Sequence, residues 1–215
     1  MFDLTRARVY PSFESRQILE DLYKNQNGIS AQRGQFIPMK TEDIFIVYRG
    51  LVKLNTLSPN GDEQTIGLAH PSMPFGLPLT KLNSYEAVAL MDALLVQVDQ
   101  KKIDQNLQLS KSLFREMTGR LQQTEALLAI VGERRIDARL RLLLQFLCQE
   151  IGKMTDRGVR LSVRLTHEQI ASLAVTTRVS VTRIFIEFRK EGWLKVDEKR
   201  HLVIRYSHDT QVSAA

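Results

Sequence analysis

Between Leu165 and Phe188 the chain reads LTHEQIASLAVTTRVSVTRIFIEF, and several of these side chains could read a nucleic acid. Arg178 and Arg183 carry forked donors that match the O6 and N7 acceptors of guanine. Val179 can meet a thymine methyl, while Thr177, Ser180 and Thr182 can reach phosphate oxygens or base edges. Further on, Lys199 and Arg200 form a cationic pair suited to phosphates. This is the chemistry of recognition and not of bond-making. The four histidines (70, 167, 201, 208) show no metal-ligand spacing, and no P-loop or Gly-rich dinucleotide fingerprint is present. Glu133 with Asp137, and Glu187 with Glu191, share helical faces, but Arg141, Arg183 and Lys195 stand at the same spacing, which marks ordinary ion pairs. An enzyme is therefore not expected, nor a bound metal or cofactor.

The readers need a scaffold, and the local sequence supplies one. Thr166 with Gln169 is a capping-box pattern that opens a short helix. Ile170 and Leu173 give it an inward face, and Ala171 is small where a second helix must cross. After a turn of about three residues, Thr176 or Thr177 can cap the next helix. There Val181, Ile184 and Phe188 fall on one side, with Arg178, Val179, Thr182 and Arg183 roughly opposite. The layout predicts a helix-turn-helix whose second helix presents its N-terminal residues to a major groove. Two alternating segments, Glu191–Val196 and His201–Tyr206, joined by Asp-Glu-Lys-Arg, predict a β-hairpin wing carrying Lys199 and Arg200.

Charge divides the chain in the same place. Residues 1–132 hold 14 Lys and Arg against 14 Asp and Glu, whereas residues 133–215 hold 16 against 10, so the net charge of +6 lies in the C-terminal part. A neutral domain followed by a basic one fits either a phosphate-backbone partner or a solvated basic surface with no partner, and the helix-turn-helix layout points to the first, double-stranded DNA. All six prolines fall within the first 78 residues. The expected organisation is residues 1–104 as a sensor-like domain, 105–132 as a dimerisation helix and 133–215 as the DNA-binding domain. No run of about 18 apolar residues exists, so no membrane partner is expected. The first thirty residues contain acids and lack an apolar h-region, and the single cysteine, Cys148, excludes a disulfide or thiolate zinc cage. The expected location is cytoplasmic.

Residues 13–28 predict a helix with Ile18, Leu19 and Leu22 inward. From Gly34 to Val98 the texture is β-rich: Ile44–Tyr48 is strand-like, Gly50 interrupts it, and Leu51–Leu57 resumes. Asn60-Gly61 predicts a type I′ hairpin turn before Gln64–Leu68, and Ala87–Val98 predicts a strand pair around Asp92. These segments read as a small antiparallel barrel or jelly roll. From Lys101 the pattern turns helical. Met117, Leu121, Thr124, Leu128 and Val131 are spaced 4, 3, 4, 3, with Leu113 extending the series backwards. That is an a/d seam; a helix packed on its own barrel would also want an apolar stripe, but one of this length beside a modest barrel is expected to pair with its twin in a parallel homodimer. Gly132 marks a hinge, after which Ile136, Leu140, Leu143, Leu144 and Leu147 begin the core of the basic domain.

The order β-roll, long seam helix and winged helix-turn-helix resembles the Crp–Fnr superfamily of dimeric bacterial transcription regulators, an α+β fold whose roll is cyclic-nucleotide-binding-like. The likeness covers roughly residues 30–206. It is most specific in L-T-H-E-Q-I-A…T-R-V-S-V-T-R, which is similar to the recognition region of the nitrogen regulators of cyanobacteria. The resemblance implies base reading by Arg178, Val179 and Arg183 at a GTA…TAC-type palindrome, with RNA polymerase as a further partner. Val175 departs from the pattern where many such turns hold glycine. The resemblance also implies an effector pocket at Phe75, Gly76, Leu77 and Arg115. Leu77 replaces the acid that holds a ribose and residues 77–87 contain no arginine, which removes the basis for cyclic AMP. 2-Oxoglutarate is the other ligand implied, although Asn83 replaces a second carboxylate-gripping arginine. His70 before Pro71 is a lone candidate for a haem ligand. The competing expectation is an oligomerisation module without salt-dependent DNA affinity.

Overall fold

The computed structural model describes residues 13–25 and 28–205; Tyr206 and His208 of the sequence reading lie outside them. Among these residues, 13–127 and 128–205 form two compact units.

The first unit is built on two long strands. β1 (Ile29–Ala31) pairs with the far end of β5 (Tyr85–Val98), which pairs along its length with β2 (Ile44–Leu57), and β3 (Glu63–Ala69) closes the order β1-β5-β2-β3. A short β4 (Pro74–Gly76) joins the start of β2 and leads into a 3₁₀ turn, Leu77–Leu79. Alternation along β2 explains why its first half is an unbroken apolar run. Phe45 and Val47 face the roll interior with Phe75, Leu95 and Met73, while Ile44 and Ile46 face outward onto helices. Those helices are α1 (Phe13–Asn25), whose Leu19 is buried there, and α3 (Leu107–Val131), which contributes Leu109 and Leu113. A short α2 (Gln100–Gln105) precedes α3 and is capped by Asp99, whose carboxylate accepts from the Lys102 amide at 2.8 Å. Tyr23 of α1 stacks on Tyr48 with ring centroids 4.3 Å apart.

Three expectations about this unit change. Gly50 does not end a strand: β2 runs through it with register shifts between Val47 and Val52. A Cβ at Gly50 would lie 2.6 Å from the Ala93 Cα, and its φ of 103° suits only glycine, so the residue bends a continuous strand against β5. Ala87–Val98 is likewise part of one strand and not a pair, with Asp92 accepting from the Arg33 amide at 3.0 Å. The 58–62 connection is not a type I′ turn, because Gly61 has a positive φ and Asn60 does not. The Gly61 amide donates to the Ser58 carbonyl and the Ser58 amide to that of Asp62, each at 2.9 Å, giving a three-residue loop with a glycine bulge.

Helix α3 buries Leu109, Leu113, Glu116, Gln123, Leu127 and Ile130. Leu113, expected in a dimer seam, is only 9% exposed and belongs to the core with Leu19, Ile44 and Ile46. Its neighbour Phe114 is 77% exposed instead, on the same face as Leu121 (59%) and Leu128 (71%). Phe114, Leu121 and Leu128 repeat at seven residues, and Met117, Thr124 and Val131 interleave at the same period. The apolar stripe is therefore an unbroken heptad once Phe114 takes the place of Leu113. A helix sets adjacent residues about 100° apart, which is why the choice between them matters.

The second unit packs three helices against a four-stranded sheet. α4 (Ile136–Ile151) is followed by β6 (Gly152–Thr155) and β7 (Gly158–Leu161), then α5 (His167–Ala174), α6 (Arg178–Lys190), β8 (Leu194–Val196) and β9 (Leu202–Ile204). The sheet order is β6-β7-β9-β8. The β6–β7 hairpin interrupts a stretch that the sequence pattern assigned to helix; Gly152 and Gly158 are its signal. A Cβ on Gly152 would meet the Cys148 carbonyl at 2.1 Å, and Gly158 turns with φ 126°. α4 buries Leu140, Leu143, Leu144, Phe146, Leu147 and Cys148. Burial pushes the Cys148 thiol up to about 12, so it stays protonated and unreactive.

Candidate nucleic-acid interface

Helix α5 begins as its sequence specifies. The Gln169 amide donates to Thr166 Oγ1 at 3.1 Å and the Thr166 amide donates to Gln169 Oε1 at 2.9 Å, a complete capping box. Ile170, Ala171, Leu173 and Ala174 are buried. The helix ends at Val175, which adopts φ 49° and ψ 59°, while the Thr176 amide donates to the Ala171 carbonyl at 3.0 Å. The left-handed conformation that glycine adopts easily is thus imposed on a β-branched residue.

Thr177 rather than Thr176 caps α6: its Oγ1 accepts from the Ser180 amide at 3.2 Å and donates to Ser180 Oγ at 3.0 Å. Val181, Ile184, Phe185 and Phe188 are buried, whereas Arg178, Val179, Thr182 and Arg183 are exposed and Ser180 is half-buried. Val179, 77% exposed, is an apolar side chain held out in solvent beside two arginines. The Thr182 hydroxyl has local partners, donating to the Arg178 carbonyl at 2.9 Å and sharing a 2.8 Å hydrogen bond with His167 Nδ1. His167 also packs edge-on to Phe185 at 5.2 Å, locking the start of α5 to α6. At the other end of α6, Arg141 lies 4.4 Å from the Phe188 ring centroid and 4.3 Å from that of Trp193, and pairs with Glu191 at 2.6 Å. Arg135 likewise pairs with Asp137 at 2.7 Å, so these acids have ordinary partners.

The wing is the β8–β9 hairpin, with Lys199 and Arg200 exposed at its tip and Arg200 at φ 61°. The turn between the two strands is fixed from β7. Arg160 donates from Nε to Asp197 Oδ2 at 2.6 Å and from Nη2 to His201 Nδ1 at 2.7 Å, and the His201 amide donates to Asp197 Oδ1 at 2.7 Å. The Arg160 hydrogen bond holds the Asp197 carboxyl down at about 2. Since Arg160 has only donors, His201 Nδ1 must be the unprotonated nitrogen. Burial, then the Arg160 charge, lowers the His201 pKa, with Asp197 opposing them. Sequence reading misses this cluster, because Arg160 and Asp197 are far apart in the chain and no periodicity links them.

In the first unit the expected effector residues lie on β4, the 3₁₀ turn and α3. Phe75 is fully buried in the roll. Gly76, at φ 148°, sits where a Cβ would meet the Asp43 carbonyl at 2.1 Å, and Leu77 packs onto the roll core. Arg115 is exposed and lines a groove of about 620 Å³ with Gln17, Glu20, Asp21, Lys24 and Lys111, a groove that Phe75, Gly76 and Leu77 do not line. The arginine beside their loop is Arg120, which donates to the Pro74 carbonyl and to Tyr85 Oη, each at 3.3 Å. Burial raises the Tyr85 pKa and Arg120 partly opposes it. Nearby, buried Gln123 accepts from the Leu68 amide at 2.9 Å. Among the described residues, no group of three His, Cys, Asp or Glu could hold a metal, and no helix is long and apolar enough to cross a membrane.

Residues 138–207 match the Crp-like helix-turn-helix domain family. The chain is 30% identical over 169 residues to the global nitrogen regulator of Nostoc sp., covering 74% of this chain and 75% of that one. It is 32% identical over 177 residues to the regulatory protein CysR of Synechococcus elongatus, covering 81% and 82%. In fold it is similar to a CRP-family transcriptional regulator from Thermus thermophilus, with a TM-score of 0.70 at 21% identity over 83% of this chain and 92% of that one.

The turn and the wing each carry a measurable consequence. Val175→Gly relieves a left-handed β-branched residue and should raise the unfolding free energy by about 1 kcal/mol in urea titrations, even after glycine's entropic cost; a loss of stability would refute the strain. Because the fold favours neutral His201, the unfolded chain takes up its proton first as pH drops below about 6.5. Stability is therefore present above that pH and is lost as pH falls through the lower folded value. His167, whose pKa is lowered by burial and then by Arg189 and Arg178, adds in the same direction. Melting curves from pH 7 to 5 should decline, and less steeply in His201→Gln.

Proposed function

The chain belongs to the Crp–Fnr family of DNA-binding transcription regulators, and on that premise we propose that it acts as a homodimer on a two-fold palindromic site of GTA…TAC type. The observation that carries this reading is the outer face of α6, where Arg178, Val179 and Arg183 are exposed above a fully buried inner face. Arg178 and Arg183 read guanine edges and Val179 meets a thymine methyl. Lys199 and Arg200 at the wing tip bind phosphate and carry no sequence information. The heptad face of α3, with Phe114, Met117, Leu121, Thr124, Leu128 and Val131, meets the same face of a second copy. That pairing must set the two recognition helices about 34 Å apart for successive major grooves. The regulator works in the cytoplasm, where RNA polymerase is its further partner.

The effector side is reduced. Arg115 lines a groove that Phe75, Gly76 and Leu77 do not line, and Asn83 supplies no second cation for a dicarboxylate. Both observations favour competence without a small ligand. The likeness to global nitrogen regulators keeps 2-oxoglutarate as the ligand to add first.

Purified protein incubated with a randomised DNA pool should enrich a two-fold palindrome, with affinity falling steeply as salt rises; no enrichment, with and without 2-oxoglutarate or cyclic AMP, would leave a missing effector or an oligomerisation module. Arg183→Ala should cost roughly 1–3 kcal/mol in specific binding and relax one base pair, whereas Lys199→Ala should weaken all sequences alike and reduce the salt slope by about 1. A base-selective loss in Lys199→Ala would contradict its assignment. Leu121→Glu should give a monomer in sedimentation equilibrium with the roll intact, while Leu113→Glu should unfold the roll.

A further inference from the structure

Arg139 lies in the first turns of α4, yet its guanidinium is spent on backbone elsewhere. Nε and Nη2 both donate to the Glu133 carbonyl, at 2.8 and 2.6 Å. Nη1 donates to the carbonyls of Ala174 and Val175, each at 3.1 Å. Glu133 lies in the link between α3 and α4, just after α3 ends at Val131. Ala174 and Val175 are the end of α5 and the left-handed residue of the turn into α6. One side chain therefore joins two backbone segments far apart in the sequence, at the points where one helix hands over to the next.

An arginine at the end of α5 has an ordinary explanation, since the last carbonyls of a helix lack partners and attract a cation. That explanation needs only the bonds to Ala174 and Val175. It leaves unused the two donors on Glu133, which are the shorter pair. A planar fork presents donors on separate edges in fixed directions, whereas lysine's three donors share one nitrogen on a flexible stem and hold two segments less rigidly.

We infer that Arg139 is a positioning residue for base recognition: it fixes the turn that aims α6 to the backbone that follows α3. This rests on the DNA-binding role of α6 proposed above. The clamp bears on the direction of the reading helix more than on the stability of its core, because Arg139 sits at the edge and the buried residues of α4, α5 and α6 pack without it.

The test uses the full chain with Arg139→Lys and Arg139→Gln, measured on the selected palindrome and on random-sequence DNA at several salt concentrations. In Arg139→Lys, which keeps the charge, specific affinity should fall about tenfold or more while random-sequence affinity and its salt slope stay at wild-type values. Adding Val175→Gly, which stabilises the same turn, should raise the melting temperature without restoring specificity. Arg139→Lys with wild-type discrimination would overturn the inference, as would discrimination recovered together with stability in the double variant. A wild-type chain that selects no palindrome would remove the DNA-binding reading and this one with it; a selective wild type with indifferent Arg139 variants would remove only the clamp.

Discussion

Two helices that must cross within three residues leave the first residue of their turn little choice of backbone. Val175 stands there at φ 49°, where a branched Cβ crowds the following carbonyl. The surroundings over-determine it. Ala171 is small and buried at the crossing, its carbonyl accepts from the Thr176 amide, and Thr177 caps the next helix within two residues. Strain persists only where neighbours enforce it. If the turn relaxed, α6 would change direction, and Val181, Ile184, Phe185 and Phe188 would leave their shared core. The exposed arginines on the opposite face would move with it. The direction of the exposed face of α6 is thus a by-product of how tightly the turn is held.

Helix α3 shows the same logic on a larger scale. Its buried stripe contains Leu109 and Leu113 but also Glu116 and Gln123, and buried polar groups demand partners. Gln123 finds one in the Leu68 amide of the roll, and Arg120 reaches Pro74 and Tyr85 from the same side. These directional bonds fix the helix's rotation, which leucines alone would not do. Once the rotation is fixed, Phe114, Leu121 and Leu128 have no choice but to face solvent. The apolar heptad is then a stripe that the chain's own roll leaves uncovered.

Local rules make the recognition segment legible in the sequence. The Thr166–Gln169 box, the Thr177 cap and the inward set of α6 all depend on neighbours within four residues, and each stands where its spacing places it. Gly50, Asn60 and Leu113 mislead for a different reason. Glycine inside a strand can mean an end or a bulge, and only the approach of Ala93 decides between them. Leu113 and Phe114 are both apolar, and only the rotation of α3 distinguishes core from surface. The β6–β7 hairpin is too short to impose a period of its own. Arg139 and Arg160 are invisible in the sequence because their partners are backbone carbonyls or side chains from distant segments.

Net charge locates the DNA-binding part of the chain but does not count its readers. Arg139, Arg141 and Arg160 all contribute to the basic excess after residue 132, yet each is committed within the fold: to carbonyls, to an aromatic pair with a glutamate, and to an aspartate with a histidine. Glu191 and Asp197 offset the charges of Arg141 and Arg160, whereas a guanidinium bonded only to carbonyls, as Arg139 is, still adds to the long-range field that draws in a polyanion. It cannot also hydrogen-bond a base edge without abandoning those partners. The division of labour follows from geometry: the engaged arginines hold the scaffold, while Arg178 and Arg183 lie exposed on the outer face of a capped helix. On the proposed role of α6, substitutions in the two sets should therefore differ in kind, the first altering where the helix points and the second altering which base it meets.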